Sequence, residues 1–491
     1  MIIRSRNGYW IAIALALFVL ICCTQFASAE NSNGTVASNA TATVTISNNP
    51  SFTESPLETI PVAPTKEVTQ NATPIQTINP GLTATNAGGS NTSIRTGLIT
   101  VTNPGIASGA DFTAAPLSGK MPLTVQFTDT STTRPTGWAW FFGDERYNQP
   151  WTKQTASAGW AGRSGFAYNV LPDGSIVIMG GSNSTKTFND VWRSTDKGVT
   201  WTKQTAKAGW SPRYGSTSVV LPDGSIVLMG GVYGVFSDVW RSADKGVTWT
   251  QQTTSAPYGA RYNAQCVAMP DGSIVLIGGI YPNKKGIYDE VWRSTDKGVT
   301  WALMNASAIP VAREGFTSNV MPDGSIVLMG GVTAGSSPKV QNDVWRSTDE
   351  GATWTEMSSN SAWKGRYGAQ SVAMPDGSIV LMGGTTYVSY FDVWRSIDEG
   401  ATWTKINASI GGAARWIGGS VVLPDGSIVT MGGLNASSNQ MNDVWRFQPA
   451  GSSLQDPSHT YRAPGNYNVT LMVTNGAVAT TSAPKTITVL P

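Results

Sequence analysis

The stretch LPDGSIVIMGG at residues 171–181, followed by DVWRSTDKGVTW at residues 190–201, decides the fold of this chain. With small changes, the first part occurs six times and the second part five times. The prolines of the PDG triplet are 50, 48, 52, 53 and 49 residues apart: Pro172, Pro222, Pro270, Pro322, Pro375 and Pro424. A repeat near 50 residues predicts an array of small β units, none of which buries its apolar face alone.

Each repeat contains the pattern of four strands. Asp173-Gly174 is a hairpin signal between the first strand and the second, SIVIMGG, whose continuous apolar run is typical of a strand covered on both faces. The two tryptophans of DVWRSTDKGVTW mark a third and a fourth strand. Only the stretch between GG and VW varies in length. Six such units favour a six-bladed β-propeller with four strands per blade.

The sixth unit is incomplete, because the chain continues from Val444-Trp445-Arg446 into FQPAGSS without a second tryptophan. The missing strand lies upstream. Trp151 precedes Arg163 by twelve residues, the same spacing that separates every fourth-strand tryptophan from the next repeated arginine. We therefore expect residues 151–154 to complete blade six and close the ring, which removes the open sheet edges.

The composition of the 491 residues limits the functional classes. Charged residues make up 13% and the net charge is +2, so nothing indicates a nucleic-acid partner. Residues 1–29 have the pattern of a secretory signal, with an uncleaved membrane anchor as the alternative. Residues 30–107 are rich in Thr, Ser, Asn and Pro and poor in aromatics, which predicts a disordered stalk.

Residues 108–144 and 452–491 carry motifs of a second domain. The first segment contains PLTVQF and WAWFFGDE, and the second contains DPSHTY and GNYNVTLMVTN. In this order they resemble the polycystic-kidney-disease-type (PKD) domain, which implies an immunoglobulin-like β-sandwich split by the propeller at 146–449. Phe141 and Glu145 stand where that family usually has Asp and Gly. By this resemblance the sole histidine, His459, is structural.

The repeats themselves resemble two propeller families. GG after the second strand is similar to kelch repeats, and STDKGVTW is similar to the Asp-box, S-x-D-x-G-x-x-W, of sialidase-type propellers. PKD-like modules with such repeats resemble the surface proteins of methanogenic archaea. The Asp-box aspartates are expected to hold a tight turn rather than bind metal, since five identical copies suit a fold better than one site.

An arginine precedes each PDG proline by nine residues, and this set is the main candidate for ligand binding. Its members are Arg163, Arg213, Arg261, Arg313, Arg366 and Arg415. One interpretation is structural pairing with carboxylates or carbonyls of a neighbouring blade. The other is a positive ring that binds carboxylate or sulfate groups. Aromatic residues directly after four of these arginines would add stacking surfaces: Tyr214, Tyr262, Tyr367 and Trp416.

The pattern gives little indication of catalysis. One histidine in the chain excludes a multi-histidine copper site, and no phosphate-binding loop or Cys/His metal cluster is present, so no cofactor is expected. A pair of carboxylates for glycoside cleavage stays possible. Glu290 and Glu314 are acids outside the obvious repeat, for which we expect a solvated surface role. Cys266 is expected to be a buried, inert thiol.

Strand alternation places the two kinds of connection on opposite faces of the propeller. The PDG and Asp-box turns share one face, from which the sandwich should hang. The variable loops, the arginines and their aromatic neighbours share the other. We expect a non-enzymatic secreted or cell-surface protein, mediating adhesion through an envelope glycan or surface protein with acidic groups. The alternatives are a secreted carbohydrate-active enzyme with its site on the propeller axis, and a structural spacer.

Overall fold

The structure is a computed structural model that describes residues 109–491 except 235, 283–285, 308–311, 334–338, 408, 450 and 475–478. Before residue 109 it describes only the backbone of four short strands. The predicted signal at 1–29, with its alternative of a membrane anchor, lies outside the described residues. The described residues contain no helix that is long and apolar enough to cross a lipid bilayer.

The four early strands fall within the segment predicted to be a disordered stalk. They are β1 (Thr77–Ile78), β2 (Gly81–Asn86), β3 (Gly89–Ile94) and β4 (Ile99–Thr100). β1 pairs antiparallel with β4, and β2 pairs antiparallel with β3. These residues therefore form paired strands in a segment for which no regular structure was expected, because the backbone groups of Thr-rich and Ser-rich stretches can pair two strands.

The β-sandwich is assembled from both sides of the propeller segment. Its first strands are β5 (Phe112–Ala115), β6 (Ser118–Lys120), β7 (Leu123–Asp129) and β8 (Gly137–Phe141). Its last strands, numbered after those of the propeller, are Ser458–Tyr461, Gly465–Thr474, Ala479–Thr481 and Lys485–Leu490. The strand at Ser458 pairs with β7, and the strand at Gly465 pairs with β8. The two halves thus share one core, which includes Phe127, Trp140 and Leu471.

The propeller consists of six four-stranded antiparallel sheets. Strand β9 (Thr152–Thr155) comes first in the chain. Sheet one contains β10 (Ala167–Val170), β11 (Ile176–Met179), β12 (Val191–Ser194) and β13 (Thr202–Thr205). Sheet two contains β14 (Thr217–Val220), β15 (Ile226–Met229), β16 (Val239–Ser242) and β17 (Thr250–Thr253). Sheet three contains β18 (Gln265–Ala268), β19 (Ile274–Ile277), β20 (Val291–Ser294) and β21 (Ala302–Asn305).

The remaining sheets follow the same plan. An additional pair, β22 (Arg313–Glu314) and β25 (Val332–Thr333), flanks sheet four. Sheet four contains β23 (Thr317–Val320), β24 (Ile326–Met329), β26 (Val344–Ser347) and β27 (Thr355–Ser358). Sheet five contains β28 (Gln370–Ala373), β29 (Ile379–Met382), β30 (Val393–Ser396) and β31 (Thr404–Asn407). Sheet six contains β32 (Gly419–Val422), β33 (Ile428–Met431), β34 (Val444–Phe447) and β9. The final sandwich strands are β35 to β38 in chain order.

Strand β9 closes the ring, as the repeat spacing predicts. It pairs antiparallel with β34, with Lys153 opposite Trp445, and the register shifts between Val444 and Trp445 as it does at the same place in the other five sheets. The first strands of consecutive sheets are neighbours around the axis, and β32 of sheet six lies beside β10 of sheet one. The second strand of every sheet is fully buried, which explains its apolar sequence, interrupted in sheet six by Thr430.

The two faces of the propeller are distinguished by which turns they hold. We call the face with the PDG and Asp-box turns the PDG face; there Lys245 of the second Asp-box reaches Asp173 of the first PDG turn, with Nζ and Oδ2 at 2.8 Å. We call the opposite face, with the GG-to-VW loops and the segments that lead into the repeated arginines, the loop face.

The sandwich joins the propeller at the PDG face. Phe141 packs in one cluster with Tyr147, Trp151 and Phe447, and the Tyr147 hydroxyl donates to Asp376 of the fifth PDG turn at 3.1 Å. Glu145 accepts backbone N–H bonds from Phe142 and Gly143. The two positions that depart from the usual PKD motif, Phe141 and Glu145, therefore lie at the junction with the propeller.

Candidate functional site

The six repeated arginines are buried, with exposed fractions of 0–1%. Each donates to the carbonyl of the first glycine of its own GG pair and to a carboxylate directly before its own VW pair. In the fourth sheet, Arg313 Nη1 lies 3.1 Å from the Gly330 carbonyl, and its two terminal nitrogens lie 2.6 and 2.8 Å from the oxygens of Asp343. The other five carboxylates are Asp190, Asp238, Glu290, Asp392 and Asp443.

The same carboxylate also accepts the indole N–H of the third-strand tryptophan, as Asp190 does from Trp192 at 2.8 Å. A buried guanidinium must be paired, because leaving a charge without partners in the interior costs far more free energy than the pair contributes. The interpretation of Arg163, Arg213, Arg261, Arg313, Arg366 and Arg415 as ligand-binding donors is therefore wrong. They fix each loop to its sheet, and the partner is in the same blade, not in a neighbouring one.

Glu290 belongs to this set, which corrects its expected solvated surface role. It takes the aspartate position in sheet three and binds Arg261 Nη2 at 3.0 Å and the Trp292 indole at 2.8 Å. Glutamate is longer than aspartate by one methylene, and only one terminal nitrogen of Arg261 bonds to it within the described contacts. The sequence hides this equivalence, since EVW stands where the other repeats have DVW.

The residue after each arginine lies where the chain enters the wall of the central channel: Glu314 and Tyr367 line the channel themselves, and the other four directly precede a lining residue. The six residues at these positions, which we call the rim, are Ser164, Tyr214, Tyr262, Glu314, Tyr367 and Trp416. Each rim residue is held by antiparallel backbone pairing to the residue after its GG pair, as Tyr214 is to Val232. Thus the four aromatic residues singled out from the sequence are brought together, and they are joined by a carboxylate.

Beneath the rim, a belt of residues with positive φ surrounds the channel: Gly165, Gly215, Asn263, Gly315, Gly368 and Ile417. Backbone bonds connect neighbouring members, for example from the Gly215 N–H to the Gly165 carbonyl at 2.8 Å. A Cβ atom on Gly165 would stand 2.3 Å from the ring of Tyr214, so the glycine allows that ring to lie across the belt.

The channel itself has a volume of about 470 Å³ and is lined by the first strands of all six sheets. Its middle is polar. Asn169 donates to Ser218 at 2.5 Å across the boundary of sheets one and two, and Ser420 donates to Gln370 at 2.5 Å across the boundary of sheets six and five. These bonds join adjacent blades at the axis, where apolar packing alone fixes no register.

Glu314 is the carboxylate of the rim. Burial raises its pKa above the ordinary value, opposed by a hydrogen bond from the Asn263 amide at 3.3 Å. Among the described residues no lysine or arginine forms an ion pair with it. Its predicted solvated surface role is wrong, because it lines the channel. The available signal was positional, since an acid stands where four repeats have an aromatic residue.

The rim tyrosines are electrostatically coupled to this carboxylate. Burial, together with smaller contributions from the nearby Tyr233, Tyr262, Glu314 and Tyr367, raises the pKa of Tyr214 to about 12. Burial followed by Glu314 also raises the pKa of Tyr262 and of Tyr367. Their hydroxyls are therefore protonated at neutral pH and remain available for hydrogen bonds to a ligand.

Aromatic and apolar side chains also protrude from the variable loops. Tyr233 of the sheet-two loop is 68% exposed, and its ring makes an edge contact with Tyr214 at 6.3 Å between centroids. In the sheet-five loop, Tyr387 is fully exposed, and Val388 and Phe391 are 61% and 49% exposed. Sequence reasoning missed these residues, because they lie in the GG-to-VW loop, whose sequence and length differ from blade to blade.

The Asp-box residues form turns, in agreement with the structural interpretation. Asp196 accepts the Thr200 N–H at 2.9 Å and the Ser194 hydroxyl at 2.8 Å. A Cβ atom on Gly198 would meet Val444 of the preceding blade at 2.7 Å, which explains the invariant glycine in these repeats. Among the described residues, no group of three His, Cys, Asp or Glu side chains is placed to hold a metal ion.

Two residues that carry reactive groups have local structural partners. Cys266 lies in the channel wall, 2.9 Å from the Thr217 hydroxyl, and burial raises the pKa of its thiol to about 12. His459 stacks on Phe142 with ring centroids 4.2 Å apart, and its Nε2 lies 2.9 Å from Asp144. This contact holds the two halves of the sandwich together, as its family resemblance implies.

Two family models match parts of this architecture. Residues 204–304 match the family model described as the DUF6242 beta propeller domain, and residues 424–489 match that of the PKD domain. The solved structure of YjhT is similar, with 14% sequence identity, a TM-score of 0.49 and coverage of 67% of this chain and 99% of its own. No curated protein matches the chain. The two family-model matches show that the chain contains a β-propeller domain and a PKD domain, as its motifs predict.

Proposed function

We propose that this chain is a non-enzymatic secreted or cell-surface protein whose six-bladed propeller mediates adhesion by recognising a glycan or protein of the cell envelope. PKD domains are typical of extracellular proteins, which supports a location outside the cell. The recognition surface is the loop face, with the rim at its centre.

The observation that carries this proposal is the contrast in attachment and exposure between the faces. The sandwich contacts the PDG face near Asp376, whereas Tyr233, Tyr387 and Phe391 protrude from the loop face. Exposed aromatic side chains are common in recognition surfaces, because they offer a large contact area at a low cost in conformational entropy. Variable loops on a rigid scaffold are the usual position of such surfaces.

The acidic ligand favoured from the sequence has lost its physical basis. The six guanidinium groups that were to bind it already bind carboxylates within the fold. Recognition of a glycan is instead supported by aromatic rings that can stack on sugar faces, together with the hydroxyls of the rim tyrosines and the Asn263 amide as hydrogen-bonding groups.

A glycan array probed with the full chain tests this proposal. The double variant Tyr387→Ala, Phe391→Ala removes aromatic area from the loop face of sheet five. Ile397→Ala is the matched control, since Ile397 is 74% exposed on the PDG face of the same sheet. We expect the double variant to lose binding by about 10-fold or more, as aromatic contact residues often do, and the control to bind like the parent. The opposite pattern would place recognition on the PDG face.

The alternative function, cleavage of a glycan, has one observation in its favour. Glu314 is a carboxylate with a raised pKa at the end of a channel, the condition for a general acid. Glycoside hydrolysis requires a second carboxylate within roughly 5–10 Å, and Glu314 is the only acid among the described residues that line the channel. Release of reducing ends from a glycan bound on the array would favour the enzyme, and its loss in Glu314→Gln would assign the residue.

A further inference from the structure

We infer that the rim binds a positively charged amine, and that the glycan recognised by the loop face carries free amino groups on its sugars. This inference rests on the proposed glycan recognition and adds the charge of the ligand. The inferred ligand is positively charged, whereas the repeated arginines led us to expect a negatively charged one.

The first step is the charge of the rim. Every repeated arginine is paired with an acid of its own blade, so these six positions contribute no net charge at the channel end. Glu314 has no such partner among the described residues; its contact there is the Asn263 amide. Lys339, in the loop of the same blade, is exposed and forms no described ion pair with it. Among the residues that the structure describes, the rim therefore carries one negative charge without a cationic partner.

The second step is the surroundings of that charge. Tyr262 and Tyr367 occupy the rim positions on either side of Glu314, and Tyr214 is close enough for its pKa to be affected by all three. Trp416 makes an edge contact with Tyr367 at 5.8 Å between centroids. Aromatic faces attract cations through their quadrupole, and a partly desolvated carboxylate among them binds a cation more strongly than an exposed one. The same arrangement repels a carboxylate or sulfate.

The third step is space. The belt beneath the rim is made mostly of glycines, which leave room between the rim side chains, and the channel below encloses about 470 Å³. A protonated amino group on a sugar ring suits this site, because the amine can bond to Glu314 while the ring lies against the tyrosines.

Calorimetric titration of the full chain with three glycans of equal length tests the inference. They are a chain of glucosamine units, its fully N-acetylated counterpart and a chain of galacturonate units. The first two differ only in the charged amine. We expect the glucosamine chain to bind at least about 10-fold more tightly than the acetylated one, the effect of one charge-assisted contact of about 1.4 kcal/mol, and the difference to shrink as salt is added.

The variant Glu314→Gln should abolish that preference while the fold is retained. The control is Glu356→Gln, which removes an exposed carboxylate from the outer strand of the same blade and should keep the preference intact. Equal binding of the glucosamine chain and its acetylated counterpart would overturn the inference that the rim binds a free amine, but it would still support glycan recognition. Tighter binding of the galacturonate chain would show that the rim prefers a negatively charged ligand and would overturn the inference. If none of the three binds, both the inference and this form of glycan recognition fail.

Discussion

The PDG face and the loop face use charged residues in opposite ways. On the PDG face, ion pairs link neighbouring blades in a repeated pattern, for example Lys245 to Asp173 and Lys297 to Asp223. Where the Asp-box lysine is replaced by Glu350, the pairing moves to Arg293. On the loop face, the repeated arginines are buried, and the rim positions that follow them hold four different residue types. In this propeller, the residues that recur in every blade form the framework, whereas the rim position, where the residue type varies, forms the candidate site.

Removal of strand β9 should have the largest effect on the framework. Deletion of residues 146–155 takes the outer strand from sheet six and uncovers Trp445 and Phe447. The loss of Trp151 alone should cost about 3–5 kcal/mol, so we expect a large fall in melting temperature by calorimetry. Thr152→Ala, at an exposed position of the same strand, is the control. If the truncated protein melts like its parent, β9 does not close the ring.

Breaking one buried pair should have the next largest effect. Asp343→Ala leaves the Arg313 guanidinium buried without its main partner, which should destabilise the protein by about 3–5 kcal/mol. Lys245→Ala breaks a pair in which the lysine is 51% exposed, and should cost about 1 kcal/mol or less. The shift in the guanidinium unfolding midpoint compares the two. Equal shifts would show that burial does not distinguish these pairs.

Acid should weaken the PDG face, and it should do so at a lower pH than the one at which the rim carboxylate takes up a proton. Burial raises the pKa of Asp173, but hydrogen bonds from Lys245 and Ser175 outweigh it and hold the pKa at about 2. Because the folded value lies below the unfolded one of 3.8, the stabilisation is present above pH 4 and is lost as the pH falls toward 2. Thermal unfolding between these pH values should show the loss, with a smaller change in Asp173→Asn. An equal change in that variant would contradict the assignment.

The rim should respond in the opposite direction and by the smallest amount. The pKa of Glu314 is raised, so its ionised form opposes folding at neutral pH and its protonated form does not. Glu314→Gln should therefore raise the melting temperature slightly at pH 7, by less than about 0.5 kcal/mol in stability, and leave it unchanged near pH 4. A clear destabilisation at pH 7 would mean that the carboxylate belongs to the framework and not to a site.

The resemblance to PKD motifs predicted the split sandwich, and the repeat spacing was sufficient to predict the sheets. It even identified Trp151 as part of the last blade. The sixth repeat lacks a fourth strand at its end, and the segment at Trp151, upstream of the first repeat, has the spacing of that missing strand. What the spacing does not contain is which way a repeated side chain faces. An arginine equivalent to Arg163 and an acid equivalent to Asp190 recur together in every blade, and recurrence of both partners was the available sign that they pair with each other.

The candidate site was only partly accessible to sequence reasoning for the same reason. The rim aromatics follow the arginines directly, so their common location could be predicted from strand direction. The importance of Glu314 depends on burial and on the absence of a described cationic partner, which are properties of the folded ring. The loop aromatics such as Tyr387 have no equivalent in other repeats to compare with.

The closure of both domains by distant strands has a consequence for biosynthesis. Strand β9 pairs with β34, and β7 pairs with β35, so each early strand is synthesised roughly 300 residues before its partner. At about 5–20 residues per second, the unpaired edges persist for tens of seconds at the ribosome. A chain that stops before Val444 leaves both of them open, and open edges are where foreign strands add. The edges of β7 and β9 are therefore covered only after β34 and β35 have been synthesised.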